Sequence, residues 1–255
     1  MKVCMMIKKP LILLSNDDGY QAEGILVLRK AIKRLGAVVV VAPDQQRSAA
    51  SHSITLHSPL RIENPEKDLY LVSGTPTDCV ILAVHEILNS PPDLILSGIN
   101  HGPNLGDDVH YSGTVSAAYE GGIMGIPSIA FSLAMNERGR FDTAAHFAMR
   151  ITKKVLKEGL PKGIILNVNI PDLPISKIKG CAFTKQGKRD YGDIVVEKVD
   201  PKGRKYYWIG GNENGFEDIP NSDCNAIRAG KVSITPLKVD ITDVDALKSI
   251  SSWRI

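Results

Sequence analysis

The chain has 255 residues, of which 43% are hydrophobic and 23% are charged, as in an ordinary globular protein. Its net charge of +3 is too small to indicate a nucleic-acid polymer or an anionic membrane as a partner, whereas a small anionic substrate is compatible with it. The length allows one large α/β domain, or a core domain with a smaller appendage.

From Pro10 to about Ile170, short apolar runs alternate with stretches of helical period. The apolar runs predict strands at Leu11–Ser15, Val38–Ala42, Leu69–Val72, Asp93–Ser97, Ser128–Leu133 and Ile164–Val168. The stretches between them predict helices at Ala22–Leu35, Thr77–Leu88, Thr114–Met124 and Asp142–Lys157. Because the runs are continuous rather than alternating, the strands are expected to be buried on both faces. The pattern therefore predicts an α/β fold for residues 1–170, with a mostly parallel sheet and helices on both of its faces.

After Pro171 the pattern changes, and residues 171–255 form a predicted C-terminal region with segments that return to the core. Ile194–Val199 and Arg204–Ile209 flank a strong turn signal, which predicts a long β-hairpin arm over about 194–209. Aromatic residues on such an arm need a surface to cover, either on the chain's own core or on another subunit. A further strand at Lys231–Val239 and a terminal helix at Val244–Trp253 complete the prediction.

The four cysteines are widely spaced and form no C-x-x-C pair, which is typical of reduced thiols (Cys4, Cys79, Cys181 and Cys224). Met1–Lys9 holds only a short apolar patch between lysines, which is too short for a signal-peptide core or a membrane span. We therefore expect a cytoplasmic protein without a membrane partner.

Two adjacent carboxylates, Asp17 and Asp18, follow the first predicted strand directly, and Gly19 then lets the backbone turn away. In an open α/β sheet, ligands bind in the crevice beyond the carboxyl ends of the strands. Two carboxylates this close repel each other unless a cation lies beside them. The segment suggests a divalent-metal site, although a turn with a helix cap is the alternative interpretation.

Three other predicted loops reach the same edge of the sheet. They are Pro43–Ser51, which is rich in small polar residues, Gly98–Asn104 after the fourth strand, and Tyr111–Thr114 at the start of a helix. Carboxylate, amide and hydroxyl oxygens are ligands that Mg²⁺ or Mn²⁺ accepts. A helix N-terminus with free N–H groups is suited to a phosphate, although Ser and Thr at this position often serve only as helix caps. Metal and phosphate together indicate phosphoryl chemistry.

Other common catalytic motifs are missing from the sequence. It has no G-x-x-x-x-G-K-[ST], no G-x-G-x-x-G after a strand and no G-x-S-x-G, which weakens the ATPase, dinucleotide-enzyme and serine-hydrolase hypotheses. The histidines lack metal-ligand spacing. His101 and His110 lie in the predicted site loop, where either could donate a proton.

Five ordered motifs and one near the C-terminus resemble the family of the stationary-phase survival protein SurE. They are Leu13–Gly19 (LLSNDDG), Val41–Ser48 (VAPDQQRS), Gly74–Cys79 (GTPTDC), Ser97–Asp108 (SGINHGPNLGDD), Tyr111–Val115 (YSGTV) and Val232–Leu237 (VSITPL). The resemblance implies a Rossmann-like core with a protruding C-terminal arm that is exchanged between subunits in a homodimer or homotetramer. It also implies a metal-dependent phosphatase acting on nucleoside 5′- and 3′-monophosphates, and in some members on the ends of polyphosphate.

The resemblance also implies which residues form the site. One divalent cation per subunit, Mg²⁺ or Mn²⁺, would be held by four residues: Asp17, Asp18, Ser48 and Asn100. Asn104, Ser112, Gly113 and Thr114 match positions that line the phosphate pocket of the family. The chain departs from the family pattern at Ala49, where glycine is frequent, and at Glu23, where proline is frequent. Ala49 would restrict the backbone if that position needs a positive φ angle.

We expect hydrolysis of a phosphomonoester by a metal-oriented water, with Asp17 and Asp18 as metal anchors and a free carboxylate oxygen that accepts the proton of the water. A second route would have Asp17 attack phosphorus to give an aspartyl-phosphate, but enzymes of the haloacid-dehalogenase type place their two aspartates two positions apart. A third hypothesis is a nucleotide-binding regulator that hydrolyses nothing.

Overall fold

The computed structural model describes residues 9–135, 139–190, 195–210 and 215–254. The predicted features in the first eight residues, including Cys4, and the predicted strand residue Ile194 lie outside this part of the chain. The strands are β1 (Leu11–Ser15), β2 (Ala37–Pro43), β3 (Ile62–Glu66), β4 (Leu69–Val72), β5 (Leu94–His101), β6 (Ser128–Ala134), β7 (Ile164–Pro171), β8 (Cys181–Phe183), β9 (Val195–Val199), β10 (Lys205–Ile209) and β11 (Val232–Lys238). The helices are α1 (Glu23–Ile32), α2 (Pro76–Leu82), α3 (Gly113–Ile123), α4 (Phe141–Glu158), α5 (Asp223–Arg228) and α6 (Val244–Ile250).

Nine strands form one sheet in the order β3-β4-β2-β1-β5-β6-β7-β11-β8, and β9 and β10 form a separate hairpin. The central pairs from β4 to β7 are parallel. The β3–β4 and β7–β11 pairs are antiparallel, so the sheet is mixed but mostly parallel. This confirms the predicted fold class, and β9 and β10 confirm the hairpin.

Alternate residues of β1 pack on opposite faces of the sheet. Ile12 and Leu14 lie in a buried cluster with Leu28 of α1 and Ala148 of α4. Leu13 lies in a second buried cluster with Val80 of α2 and with α3. Helices therefore cover both faces, as a strand with a continuous apolar run requires.

Three short elements were not predicted. They are β3, β8 and α5, which have five, three and six residues. β3 has the sequence IENPE and is exposed throughout, which fits an edge strand that tolerates proline and charge. The predicted helix Thr77–Leu88 is α2 followed by a π-helical turn at Ala83–Ile87. Among the described residues, no helix is long and apolar enough to cross a bilayer.

The start of α1 lies against the backbone of β5. A Cβ atom added at Gly24 would lie 1.9 Å from the carbonyl oxygen of Ile99 and 3.1 Å from the ring of Phe141. Only a glycine allows this approach, because the first obstacle is backbone rather than a flexible side chain. The contact holds α1 next to the strand that carries Asn100.

We predict that Gly24→Ala lowers the free energy of unfolding by about 3 kcal/mol, although alanine is the better helix former. The measurement is urea denaturation followed by circular dichroism. Gly210→Ala is the control, because a Cβ at Gly210 would meet no atom of the described residues within 4 Å. An unchanged denaturation midpoint for Gly24→Ala would contradict the close approach.

Candidate active site at the switch point of the sheet

The direction in which the strands are added reverses between β1 and β5. From β1 the chain builds outwards through β2 and β4, whereas β5 leads to β6 and β7 on the other side. The loops after two such strands diverge and leave a crevice in which open α/β sheets bind ligands. Asp17 lies two residues after β1, and Asn100 lies near the end of β5. The topology thus brings two of the four predicted segments to the crevice.

Hydrogen bonds join the Asp17–Asp18 segment to the other three. The N–H of Arg47 donates to the carbonyl oxygen of Asp17 at 2.8 Å, which brings in the loop that contains Ser48. The N–H of His101 donates to Oδ2 of Asp18 at 3.0 Å. The hydroxyl group of Thr114 donates to Oδ1 of Asp17. All four segments predicted from the sequence therefore meet at one place.

Asp17 is only 5% exposed. Burial raises the pKa of Asp17 to about 6, the hydrogen bond from Thr114 opposes this rise, and the negative charge of Asp18 adds to it. A buried carboxylate beside a second one is costly unless a cation compensates the charge. The donor set of two carboxylates, a hydroxyl and an amide oxygen fits a hard divalent cation.

The first turn of α3 packs directly on this carboxylate. A Cβ added at Gly113 would lie 2.8 Å from Cβ and 2.9 Å from Oδ2 of Asp17. Glycine at this position lets the helix N-terminus reach the acidic pair. The N–H groups at the start of a helix have no carbonyl partner within the helix and can bind an anion. The predicted phosphate site and the predicted cation site are thus adjacent in this arrangement.

Ser112 and Thr114 have different hydrogen-bond partners. Ser112 is the N-cap of α3, and its Oγ accepts from the N–H of Val115 at 3.1 Å. Such a hydroxyl oxygen can still donate its own proton. Thr114 is fully buried, and its hydroxyl proton is used on Asp17. Thr114 therefore orients the carboxylate, a contact that the sequence did not predict.

Of the other two predicted metal ligands, Ser48 lies in the loop after β2 and Asn100 lies near the end of β5. Oγ of Ser48 accepts from Nε2 of Gln46 at 2.8 Å. Nδ2 of Asn100 donates to the carbonyl oxygen of Gly102 at 3.0 Å, which assigns the amide nitrogen and makes Oδ1 the ligand-type atom. The described residues contain no group of three or more His, Cys, Asp or Glu side chains that could hold a metal. A metal at this site would depend on hydroxyl and amide oxygens besides the acidic pair.

Asn104, in the segment that connects β5 to α3, is the centre of a buried polar cluster with residues of β6 and β7. Its Nδ2 donates to Oγ of Ser132 at 2.7 Å, and its N–H donates to Oδ1 of Asn169 at 2.8 Å. Its carbonyl oxygen accepts from the side-chain amides of Asn167 and Asn169, both at 2.9 Å. These bonds fix the segment that leads to α3. The three partners carry no sequence signal as site residues, because they lie 28 to 65 positions away.

The two histidines of the site loop differ in their surroundings. The ring of His101 stacks on Phe141 with 6.0 Å between the ring centres. Nε2 of His110 lies 3.3 Å from Nε2 of Gln186. Both histidines are exposed, and His101 directly follows the predicted metal ligand Asn100 in the sequence.

The structure shows the backbone conformation or the location of the two residues that depart from the family pattern, Ala49 and Glu23. Ala49 has a φ angle of 56°, so the position does need the left-handed conformation in which glycine is free of strain. Glu23 is exposed in the first turn of α1, where a negative charge is favourable next to the positive end of the helix dipole.

The fold and the site together define a class: an open α/β protein with an oxygen-donor site at the switch point of its sheet and a helix N-terminus beside it. The family model "Survival protein SurE" matches residues 12–193. The chain is 52% identical over 245 residues to "5′-nucleotidase SurE" of Geobacter sulfurreducens, covering 96% of this chain and 94% of that protein. It is 53% identical to the protein of the same name from Pelobacter propionicus, covering 95% and 98%.

A solved structure agrees with these relatives. The structure titled "Crystal Structure of Sure Protein from Aquifex aeolicus" superimposes with a TM-score of 0.87 at 50% identity, covering 95% of this chain and 98% of that one. The chain belongs to the SurE family.

We predict that Asp17→Asn stabilises the metal-free protein by about 2 kcal/mol at pH 8, because the folded state then no longer buries a charge. A carboxyl group with a pKa raised from 3.8 to about 6 binds its proton more tightly in the folded state. Protonation of Asp17 therefore stabilises the folded wild type below about pH 4, and this stabilisation is lost as the pH rises through 6. The Asp17→Asn variant does not titrate at this position, so its advantage in stability over the wild type is present at pH 8 and disappears near pH 4.

The measurement is urea denaturation in the presence of a chelator at both pH values. Asp44→Asn is the control, since Asp44 is an exposed carboxylate in the loop after β2 and pairs with Arg47 at 3.5 Å. A variant at Asp17 that is no more stable than the wild type at pH 8 would contradict the buried charge.

Proposed function

We propose that the protein is a divalent-metal-dependent phosphatase that hydrolyses nucleoside 5′-monophosphates to nucleoside and phosphate. The observation that carries this proposal is the packing of the buried residue Asp17 on the first turn of α3, which supports a cation site beside a phosphate site. Relatives at about 50% identity over nearly the whole chain are named 5′-nucleotidases, which supports the same activity.

The proposal extends to nucleoside 3′-monophosphates and to the terminal phosphate of polyphosphate. The free N–H groups at the start of α3 support this breadth, because they recognise a phosphate group and not a base. We also propose a cytoplasmic location, which the free thiols of Cys79, Cys181 and Cys224 support.

The proposed metal ligands are Asp17, Asp18, Ser48 and Asn100, with one Mg²⁺ or Mn²⁺ per subunit. All four supply oxygen, which both cations accept. Their segments are joined by the hydrogen bonds from Arg47 and His101 to the acidic pair. When bound, such a cation polarises a phosphoryl oxygen and lowers the pKa of a water molecule.

The chain's own groups have separate roles in this reaction. The backbone N–H groups of Gly113 and Thr114 and the hydroxyl group of Ser112 bind the phosphate oxygens. The Thr114 hydroxyl keeps Oδ1 of Asp17 oriented, and a carboxylate oxygen of the acidic pair accepts the proton of the attacking water. Asn104 belongs to the proposed site as well, and its bonds to Ser132 and Asn169 support a role in holding the phosphate-binding segment.

We predict phosphate release from AMP in the presence of Mn²⁺ and its loss on addition of a chelator. Asp17→Ala and Asn100→Ala should each lower kcat/KM at least about 100-fold, because each removes a ligand of the cation. Asp44→Asn is the control and should retain activity. AMP binding without phosphate release would contradict the proposal in favour of a regulator, and so would full metal-dependent activity of Asn100→Ala.

We also propose that the C-terminal region, from residue 171, carries an arm that joins subunits into a homodimer or homotetramer. Both strands of the arm, β9 and β10, are exposed throughout, and Tyr207, Trp208 and Ile209 leave 56%, 62% and 85% of their surface uncovered. A two-stranded hairpin is marginally stable in water, and exposed aromatic residues on it favour a partner surface. A second copy of this chain is the partner that the family resemblance implies.

We predict that the double substitution Trp208→Asp with Ile209→Asp shifts the protein to a smaller assembly, because it places charges in the apolar contact. The measurement is sedimentation velocity over a range of protein concentrations. Leu56→Asp is the matched control, because Leu56 is 74% exposed and lies far from β9 and β10 in the sequence. A wild type that is monomeric at all concentrations would contradict the proposal.

A further inference from the structure

A one-turn 3₁₀ helix at Gly106–His110 directly precedes the proposed phosphate site. We call it the pre-helix turn. Its geometry determines where the chain enters Ser112, because the N–H of Tyr111 donates to the carbonyl oxygen of Asp108 at 3.0 Å. Whatever holds this turn also holds the first N–H groups of α3.

The pre-helix turn is held by residues from the base of the C-terminal arm. We define the arm base as Gln186–Arg189, ahead of β9, together with Phe216–Asp223, after β10. The two segments are joined to each other by an antiparallel bridge between Arg189 and Phe216. They are about 80 to 120 positions away from the pre-helix turn in sequence, so the contact is made only in the folded chain.

Asp223 connects the backbones of both segments. Its carboxylate is fully buried, with Oδ2 accepting from the N–H of Gly106 at 3.0 Å and Oδ1 from the N–H of Gly187 at 2.8 Å. Nε2 of Gln186 donates to the carbonyl oxygen of Gly106 at 2.9 Å. Both backbone groups of Gly106 are thus bonded to the arm base. Charge-assisted bonds of this kind are about twice as strong as neutral ones.

Arg189 makes the second set of contacts. Its N–H donates to Oδ2 of Asp107 at 3.1 Å, and its Nε lies 3.1 Å from Oδ2 of Asp108. Its guanidinium group lies over the ring of Phe216 at 5.0 Å, and its side chain is only 8% exposed. The Arg189 side of this ion pair is therefore shielded from water, whereas the side chain of Asp108 is 25% exposed, and such a partly buried pair is worth more than a fully exposed one.

We propose that Arg189 and Asp223 are positioning residues for phosphate binding: they hold the pre-helix turn, and through it the phosphate-binding backbone of Ser112–Thr114, to the base of the arm. This inference rests on the proposed function. The acidic pair is also held by the N–H groups of Arg47 and His101, which lie outside this segment, so the metal ligands stay in place when the arm base is disturbed.

The test is the substitution Arg189→Ala in the full chain, assayed with AMP and Mn²⁺. A displaced pre-helix turn weakens phosphate binding in the ground state and the transition state alike, so KM should rise about fivefold or more with kcat within about twofold. The dissociation constant of inorganic phosphate for the Mn²⁺-loaded protein should rise by the same factor. The affinity for Mn²⁺ alone, measured by titration calorimetry, should stay unchanged.

Three further variants separate positioning from general destabilisation. Arg189→Lys should restore part of the phosphate affinity, because it keeps a cation beside Asp108. Arg228→Ala is the matched control: Arg228 also lies over the Phe216 ring, at 5.6 Å, but it is the last residue of α5 and does not belong to the arm base. It should leave KM unchanged. Asp223→Asn should raise KM as well, because an amide cannot accept from all the backbone donors that the carboxylate does.

The possible results distinguish a failure of this inference from a failure of the proposed function. An unchanged KM and an unchanged phosphate dissociation constant in Arg189→Ala would overturn the inference, and so would an equal rise in Arg228→Ala. If the wild type releases no phosphate, the proposed function fails, and the phosphate titration decides on the inference alone. Weaker phosphate binding in Arg189→Ala with unchanged Mn²⁺ affinity supports it in either case.

Discussion

The contact between Asp17 and the first turn of α3 is the constraint on which the site depends. The helix can approach the carboxylate because residue 113 is glycine, and the Thr114 hydroxyl then fixes one carboxylate oxygen. Burial raises the pKa of the group, so the metal-free protein carries an electrostatic cost at neutral pH. A bound cation would remove that cost. The phosphate group of a substrate could then contact the cation on one side and the N–H groups at the start of α3 on the other.

Much of this arrangement was predictable from local sequence. An apolar run followed by Asn-Asp-Asp-Gly predicts a strand end with carboxylates, and the switch-point rule places them in a crevice. Likewise, Ser112 before a helical stretch predicts an N-cap, which the structure confirms. The main strands were predictable for the same reason, because their apolar runs are long and continuous. The short elements β3, β8 and α5 were not, since their few residues carry too little pattern.

The supporting contacts could not be predicted, because they join distant residues. The Thr114–Asp17 bond spans 97 positions, and the bond from Gly106 to Asp223 spans 117. No local pattern distinguishes these residues from ordinary caps and surface charges. The role of Arg189 likewise becomes visible only when the pre-helix turn and the arm base lie side by side. The individual metal-ligand and phosphate roles remain predictions, although the structure brings their segments together.

The arrangement of the sheet has a consequence for folding. β1 pairs with β2 and β5, so its neighbours come from residues about 25 and 80 positions downstream. Such nonlocal pairings make folding slow, because a long stretch of chain must close into a loop before the strands can pair. The central sheet is therefore completed late in folding. The crevice does not exist until both neighbours are in place, and a ligand that requires it binds only the completed fold. A metal ion or a phosphate that binds in this crevice would therefore stabilise only the complete central sheet, and its presence during synthesis would favour the fully assembled chain over partly folded forms.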